Sequence, residues 1–232
     1  MTFTQIRAVL FDKDGTLFDF ASSWSGWARQ LLVELSEGDG ARARALGAAI
    51  RFDLSAGQFD PTSPVIAGTL EEAAALMHPH LPHLSRAALI SRLVQSAETA
   101  QMVPPLPLVP LLGGLRARGL VLGVATNDAE SAAHAHLRAA GITAHFAHVL
   151  VYDSGYTPKP APDMLLGFAA RAGLAPETVL MVGDSTHDLI AGRAAGMATI
   201  GVLTGLATRG QLAPHADLVL PDIGHLPAVL AG

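Results

Sequence analysis

Residues 6–12, IRAVLFD, hold the apolar run AVLF, which ends on an aspartate and is followed by a glycine turn at Gly15. A short unbroken run of this kind is the pattern of a strand buried on both faces. From about Ser22 to Gln101 the period changes. Segments such as WARQLLVEL and SRAALISRLVQSAETA repeat apolar positions every three to four residues and predict helices, with no strand among them. The loop SAGQFDPTSPVIAGT, residues 55–69, interrupts this block. Beyond a proline-rich hinge at 104–110 the strand pattern returns, over 120–128, 146–153, 179–184, 198–204 and 217–223. Helical segments at 129–140, 162–172 and 187–195 lie between these runs. Strands alternating with helices predict an α/β fold: a Rossmann-like three-layer core with a parallel sheet covered on both faces. The core comprises residues 1–19 and 104–232. Residues 20–103 form an inserted all-helical cap subdomain between the first and second core strands.

Composition narrows the class. Half of the 232 residues are hydrophobic and 15% are charged, which predicts a globular chain with a sizeable core. A net charge of −5 argues against nucleic acid as a partner. Charged residues throughout the first twenty positions leave no signal-peptide core, and the most apolar stretch, Met102 to Leu115, is broken by four prolines. No membrane partner is expected. The absence of cysteine excludes disulfides and thiolate metal sites and fits a cytoplasmic location. Lysine is rare: Lys13 and Lys159 stand against thirteen arginines.

Candidate chemistry gathers at strand ends, where open parallel sheets bind ligands. Asp12 and Asp14 follow the first strand, Thr126 and Asn127 the second. Lys159 lies in the loop after the third, and Asp184 and Asp188 follow the fourth. Each has an ordinary reading on its own: a turn, a helix cap, a solvated lysine, a cap with a helix-surface acid. Together and in this order they suggest a site for a phosphate monoester. Asp12 is a possible nucleophile, while Thr126, Lys159 and loop amides suit an anion. Asp12, Asp184 and a backbone carbonyl offer hard oxygen ligands. With a phosphate bound and Asp14 protonated, the site carries a net charge of roughly −4, and like-charge pairs ~4 Å apart cost about 4 kcal/mol each. A divalent cation is required, and an all-oxygen donor set selects Mg²⁺.

DKDGTL, TND, KPAPD and GDSTHD resemble the four motifs of the haloacid dehalogenase-like hydrolases. The likeness covers essentially the whole chain and is nearest to the phosphoglycolate phosphatase-like and β-phosphoglucomutase-like branch. It implies that Asp12 forms an aspartyl-phosphate and that Asp14 is the acid and then the base. It also implies that Asp12, the Asp14 carbonyl and Asp184 hold Mg²⁺. Thr126, Lys159 and the Asn127 amide would bind the phosphoryl oxygens. Asp188 would sit behind them, orienting Lys159 or a metal-bound water. Asp14 argues against halide removal, because the family's dehalogenases lack that second aspartate. Lys13 departs from the family's apolar residue at this position. Strand alternation points it away from Asp12 and Asp14, to snorkel outward or pair with an acid; the alternative is extra positive potential at the site.

The implied function is a Mg²⁺-dependent phosphatase acting on a small phosphorylated metabolite, either a phosphoglycolate-like acid or a sugar phosphate, as a monomer or homodimer. A phosphomutase of the same fold and a non-catalytic phospho-ligand binding module are the alternatives. Within the cap, Phe59, Ser63 and Thr69 are candidates to face the substrate, a plain surface loop being the equal alternative. Arg42, Arg44, Arg51, Arg86 and Arg92 are available for a carboxylate, although helix arginines are usually solvated. His78, His80 and His83 have spacing that could hold a metal but read better as a proline-rich surface turn. Trp24 and Trp27, one turn apart, read as packing residues.

Overall fold

The computed structural model describes residues 3–231, and the element that orders everything else is its first strand, β1 (Ala8–Phe11), buried at all four positions. The insertion follows as α1 (Phe20–Leu35), α2 (Gly40–Ala49), β2 (Phe52–Asp53), β3 (Gln58–Phe59), α3 (Leu70–Met77) and α4 (Arg86–Glu98). The chain then runs through α5 (Leu108–Ala117), β4 (Val121–Thr126), α6 (Glu130–Ala139), β5 (His148–Val151) and α7 (Asp163–Ala172). It ends with β6 (Val179–Gly183), α8 (Thr186–Ala194), β7 (Ala198–Val202), α9 (Arg209–Leu212), β8 (Leu218–Leu220) and α10 (Leu226–Val229). Six strands form one parallel sheet in the order β5-β4-β1-β6-β7-β8.

The period of two in β1 builds the layers. Val9 and Phe11 pack with Leu112 and Leu115 of α5 and Leu137 of α6. Ala8 and Leu10 point the other way, into Met164, Leu165 and Phe168 of α7 and Ala191 of α8. A strand covered on both faces has no polar position to spare, which is why AVLF is apolar throughout. The register aligns the carboxyl ends. Phe11 pairs with Val124 on one side and Val182 on the other, so Asp12, Thr126 and Asp184 leave the sheet along a single edge. The strand order reverses at β1, the position where such sheets open a crevice.

The insertion has its own core, in which Leu32, Leu46, Met77, Leu89 and Leu93 interlock. Asp19 caps α1 by accepting from the Ser22 amide at 2.8 Å. The two chain crossings are tied together: Asp19 N donates to Val103 O at 2.8 Å, and Val103 N donates to Ser23 Oγ at 3.0 Å.

Two expectations are corrected. The insertion is not all-helical, because Phe52–Asp53 and Gln58–Phe59 pair antiparallel. Two-residue strands carry no readable period. This pair is held by aromatic edge contacts, Phe52 to Phe59 at 4.8 Å and Phe59 to Phe20 at 5.6 Å between ring centroids. The proline-rich hinge is also shorter than expected, since α5 begins at Leu108. Pro110 falls in its first turn, where no intrahelical partner for the missing N–H is needed. The histidine turn forms a short 3₁₀ segment, His78–His80, with a His78 Nε2 contact to Leu84 O at 3.0 Å. Among the described residues no helix is long and apolar enough to cross a membrane.

Candidate active site

Asp12 is the first residue beyond β1, anchored where its amide donates to Val182 O at 2.8 Å. Lys159 reaches it from the loop after β5. Its Nζ donates to Asp12 Oδ1 at 2.6 Å, Asp188 Oδ1 at 2.6 Å and Ala125 O at 2.8 Å, using all three ammonium donors. Burial alone would lower the Lys159 pKa, but Asp12 and Asp188 overcome it and hold the ammonium above its ordinary value. Burial pushes the Asp12 carboxyl up to about 7, with Asp188 and Asp14 adding to the shift and Lys159 opposing it. Asp184 is raised well above the usual carboxylate range, by burial first and then by Asp12 and Asp188.

The Lys159 loop is set by Asn127. Its Oδ1 accepts from Lys159 N at 2.9 Å, and its Nδ2 donates to Lys159 O at 2.8 Å and to Ala67 O of the insertion at 2.9 Å. This side-chain clamp was not foreseen, since sequence reasoning used only the Asn127 amide. Thr126 is buried beside it, its Oγ1 accepting from Asp128 N at 3.1 Å. Asp188 is the N3 residue of α8 and completes a capping box with Ser185, so one of its oxygens serves the helix and the other serves Lys159.

Asp184 is enclosed by glycines. A Cβ on Gly15 would lie 2.3 Å from its Cγ, and one on Gly205 would lie 1.7 Å from its Oδ2. Gly205 belongs to no motif recognised in the sequence. Thr16 Oγ1 donates to Asp184 Oδ1 at 3.4 Å, and Thr204 Oγ1 donates to Gly15 O at 2.6 Å, closing the loops around the carboxylate.

Lys13 bears out one part of the sequence reading, since it pairs with acids, and corrects the rest. It does not point away from Asp14 or snorkel outward. It is fully buried, and its Nζ donates to Asp14 Oδ1 at 2.7 Å. The strand ends at Phe11, so alternation no longer governs residue 13. Lys13 also forms an ion pair with Asp128 Oδ2 at 3.0 Å, without hydrogen-bond alignment, and meets His136 Nδ1 at 3.0 Å. Its ammonium lies 5.4 Å from the Trp24 ring centroid. Asp14 and Asp128 hold Lys13 above its ordinary pKa against the effect of burial, while burial first and Lys13 second lower His136. Trp24 Nε1 donates to the same Asp14 Oδ1 at 2.9 Å. The chain's two lysines therefore serve its two motif aspartates, Lys159 for Asp12 and Lys13 for Asp14. His136 Nε2, 2.8 Å from Ala97 O, links this network to α4 of the insertion.

The metal expectation has a physical basis here. Oxygens of Asp12, Asp184 and Asp188 lie within 4.8 Å of one another, in a pocket where burial and mutual repulsion raise two of the three carboxyls. A hard divalent cation matches that donor set. Asp188 joins the cluster by its side chain, and the sequence reading had placed the Asp14 carbonyl there; both Asp188 oxygens already accept hydrogen bonds.

A cavity of about 90 Å³ joins these residues to the insertion. Asp12, Asp14, Thr126, Asn127, Lys159, Asp184 and Asp188 all line it. Phe59 and Thr69 line it, which favours the substrate-facing reading of their loop over the plain surface loop. Ser63 does not; it is buried, with Oγ donating to Ile50 O at 2.6 Å. None of the five arginines reaches the cavity.

A parallel α/β sheet that carries two motif aspartates, a buried lysine and a further acid pair at its carboxyl edge, beneath an inserted helical unit, defines a hydrolase class. Residues 6–196 match the family model for haloacid dehalogenase-like hydrolases, and the chain belongs to that family. The chain is 34% identical over 220 residues to "Probable phosphatase IndB" of Dickeya dadantii, covering 92% of this chain and 88% of that protein. It is 29% identical over 231 residues to a phosphoglycolate phosphatase of Shigella boydii, covering 95% and 89%. The crystal structure of a predicted phosphoglycolate phosphatase from Haemophilus somnus superposes with a TM-score of 0.74 at 20% identity, covering 97% and 98%. Within the family, the chain's sequence similarity is to phosphatases.

Proposed function

We propose that the protein is a Mg²⁺-dependent phosphatase that transfers the phosphoryl group of a small phosphomonoester to water through Asp12, with residues 20–103 as cap over a core of 1–19 and 104–232. The observation that supports this most is the convergence of Asp12, Lys159, Asp184 and Asp188 on one buried point. Pure ligand binding gives no reason for a partly buried acid, Asp14, beside a buried carboxylate.

Ionised Asp12 attacks phosphorus. The Asp12–phosphorus bond forms as the ester P–O bond breaks, and the proton held on Asp14 Oδ2 passes to the leaving oxygen. Lys13 and Trp24 both donate to Oδ1, which orients the other oxygen for this transfer. Water then attacks the aspartyl-phosphate, gives its proton to Asp14 and releases Asp12. Lys159 and Thr126 hold phosphoryl oxygens in place. Asp12, Asp184 and the Asp14 carbonyl would hold a divalent cation, which when bound would supply the positive charge that lets two anions approach.

Phosphate release from p-nitrophenyl phosphate tests this reading. Activity should vanish with EDTA, return with Mg²⁺ and be absent in Asp12→Asn. Metal-independent hydrolysis, or an active Asp12→Asn, refutes it.

A further inference from the structure

The wall that the insertion presents to the cavity is hydrocarbon. Trp24, Trp27, Leu31, Ile50, Phe59 and Met77 form much of it. The polar atoms of these residues are already engaged. Trp24 Nε1 donates to Asp14, and Trp27 Nε1 donates to Ser96 Oγ at 2.9 Å, so both indoles spend their donors away from a ligand. Thr69 Oγ1 accepts from the Glu72 amide in a capping box. Among the described residues, Lys159 is the one cationic side chain that lines the cavity, and it lies at the strand ends against Asp12, Asp188 and Ala125 O, not in the insertion's wall. Four of the five candidate arginines are exposed and the fifth, Arg42, is half-buried against Glu37 and Asp39.

A carboxylate carried against this wall would be desolvated without a cationic side chain beside it, and a sugar would set its hydroxyls against mostly hydrocarbon side chains. An aromatic ring would meet aromatic and aliphatic surface of the kind that binds it. Resting on the phosphatase reading above, we infer that the substrate is a phosphomonoester whose alcohol carries an apolar, aromatic-ring group, and that Trp24, Trp27 and Phe59 are specificity determinants. The phosphate sits at the strand ends and the ring under the insertion. The class thus differs from that named for the Shigella and Haemophilus relatives.

The experiment compares kcat/KM with Mg²⁺ for phenethyl phosphate, 2-phosphoglycolate and glucose 6-phosphate, all of which expel a poor alkoxide leaving group. Phenethyl phosphate should be favoured by at least about 100-fold, the effect of burying a ring where the others strand polar groups. Equal or better turnover of phosphoglycolate or the sugar phosphate overturns the inference and leaves the phosphatase reading standing. Leu31→Arg, which places a cation in the wall, should shift preference toward phosphoglycolate. Should that variant not fold, wild-type protein answers the same question through thermal shifts. Phenethylphosphonate should raise the melting temperature at concentrations where phosphonoacetate does not, and the reverse order overturns the inference. If no ester is hydrolysed while phenethylphosphonate still binds, the phosphatase reading fails and the apolar wall stands.

Discussion

Gly205→Ala adds one methyl group 1.7 Å from Asp184 Oδ2, 2.5 Å from its Cγ and 2.7 Å from its Cβ. The backbone tolerates alanine there, since Gly205 is not among the positive-φ residues. The whole effect is therefore steric. To regain an ordinary contact of ~3.5 Å, the Asp184 oxygen must retreat by roughly 1.8 Å. It cannot retreat toward Gly15, whose own Cα side approaches the same carboxylate. Asp184 must instead rotate out of the cluster with Asp12. A misplacement of about 1 Å in a reacting constellation costs ~100-fold, so kcat/KM should fall by about 100-fold or more, with a matching loss of Mg²⁺ affinity. Overpacking should cost about 1–3 kcal/mol, a shift of several degrees in melting temperature, so the fold survives. The assay is Mg²⁺-dependent p-nitrophenyl phosphate hydrolysis with a Mg²⁺ titration and a melting curve. Gly210→Ala is the control, because the nearest atom to its Cβ is Thr208 Oγ1 at 4.0 Å. A Gly205→Ala enzyme with wild-type kcat/KM and Mg²⁺ affinity refutes the placement of Asp184 at the metal site.

Lys13→Met leaves Asp14 and Asp128 without their shared cation; breaking a buried pair costs ~3–5 kcal/mol, so melting should fall by about 10 °C. The same variant should lose more activity on alkyl phosphates than on p-nitrophenyl phosphate, whose leaving group needs no proton; equal losses would remove Lys13 from the positioning of Asp14. Asn127→Ala strips partners from Lys159 N, Lys159 O and Ala67 O, and hydrogen exchange at the Lys159 amide should accelerate; unchanged protection contradicts the clamp. In metal-free protein Asp12 binds its proton more tightly folded, at about 7, than unfolded, at 3.8. Its contribution to stability is complete below pH ~4 and is lost as pH rises through 7. Mg²⁺ takes the ionised form, so its thermal shift should be small at pH 5 and larger at pH 8; a shift that shrinks with pH contradicts this.

The strands were legible because burial on both faces demands apolar runs, and IRAVLFD or VLMVGD leave no other periodicity. The acids of the site were legible because parallel-sheet chemistry gathers just past those runs. Lys13 was misplaced because alternation was extended two residues beyond the end of β1 at Phe11. The direction of its side chain depends on Asp128 and His136, more than a hundred residues away. Trp24 looked like packing because its spacing from Trp27 is helical; its bond to Asp14 depends on how the insertion docks. Gly205 could not be found by pattern, since a glycine against a carboxylate looks like any loop glycine. The β2–β3 pair was missed because two residues are too few for a period, and α5 because prolines mask a helix start as readily as they mark a hinge.

The central claim is that the side chain of Asp12 carries the phosphoryl group during turnover. Acid-quenching the enzyme during steady-state hydrolysis, followed by digestion and mass spectrometry, measures this directly. The account predicts an alkali-labile phosphoryl group on the peptide containing Asp12, absent from Asp12→Asn. A phosphoryl group on another residue, or full turnover by Asp12→Asn, would contradict it.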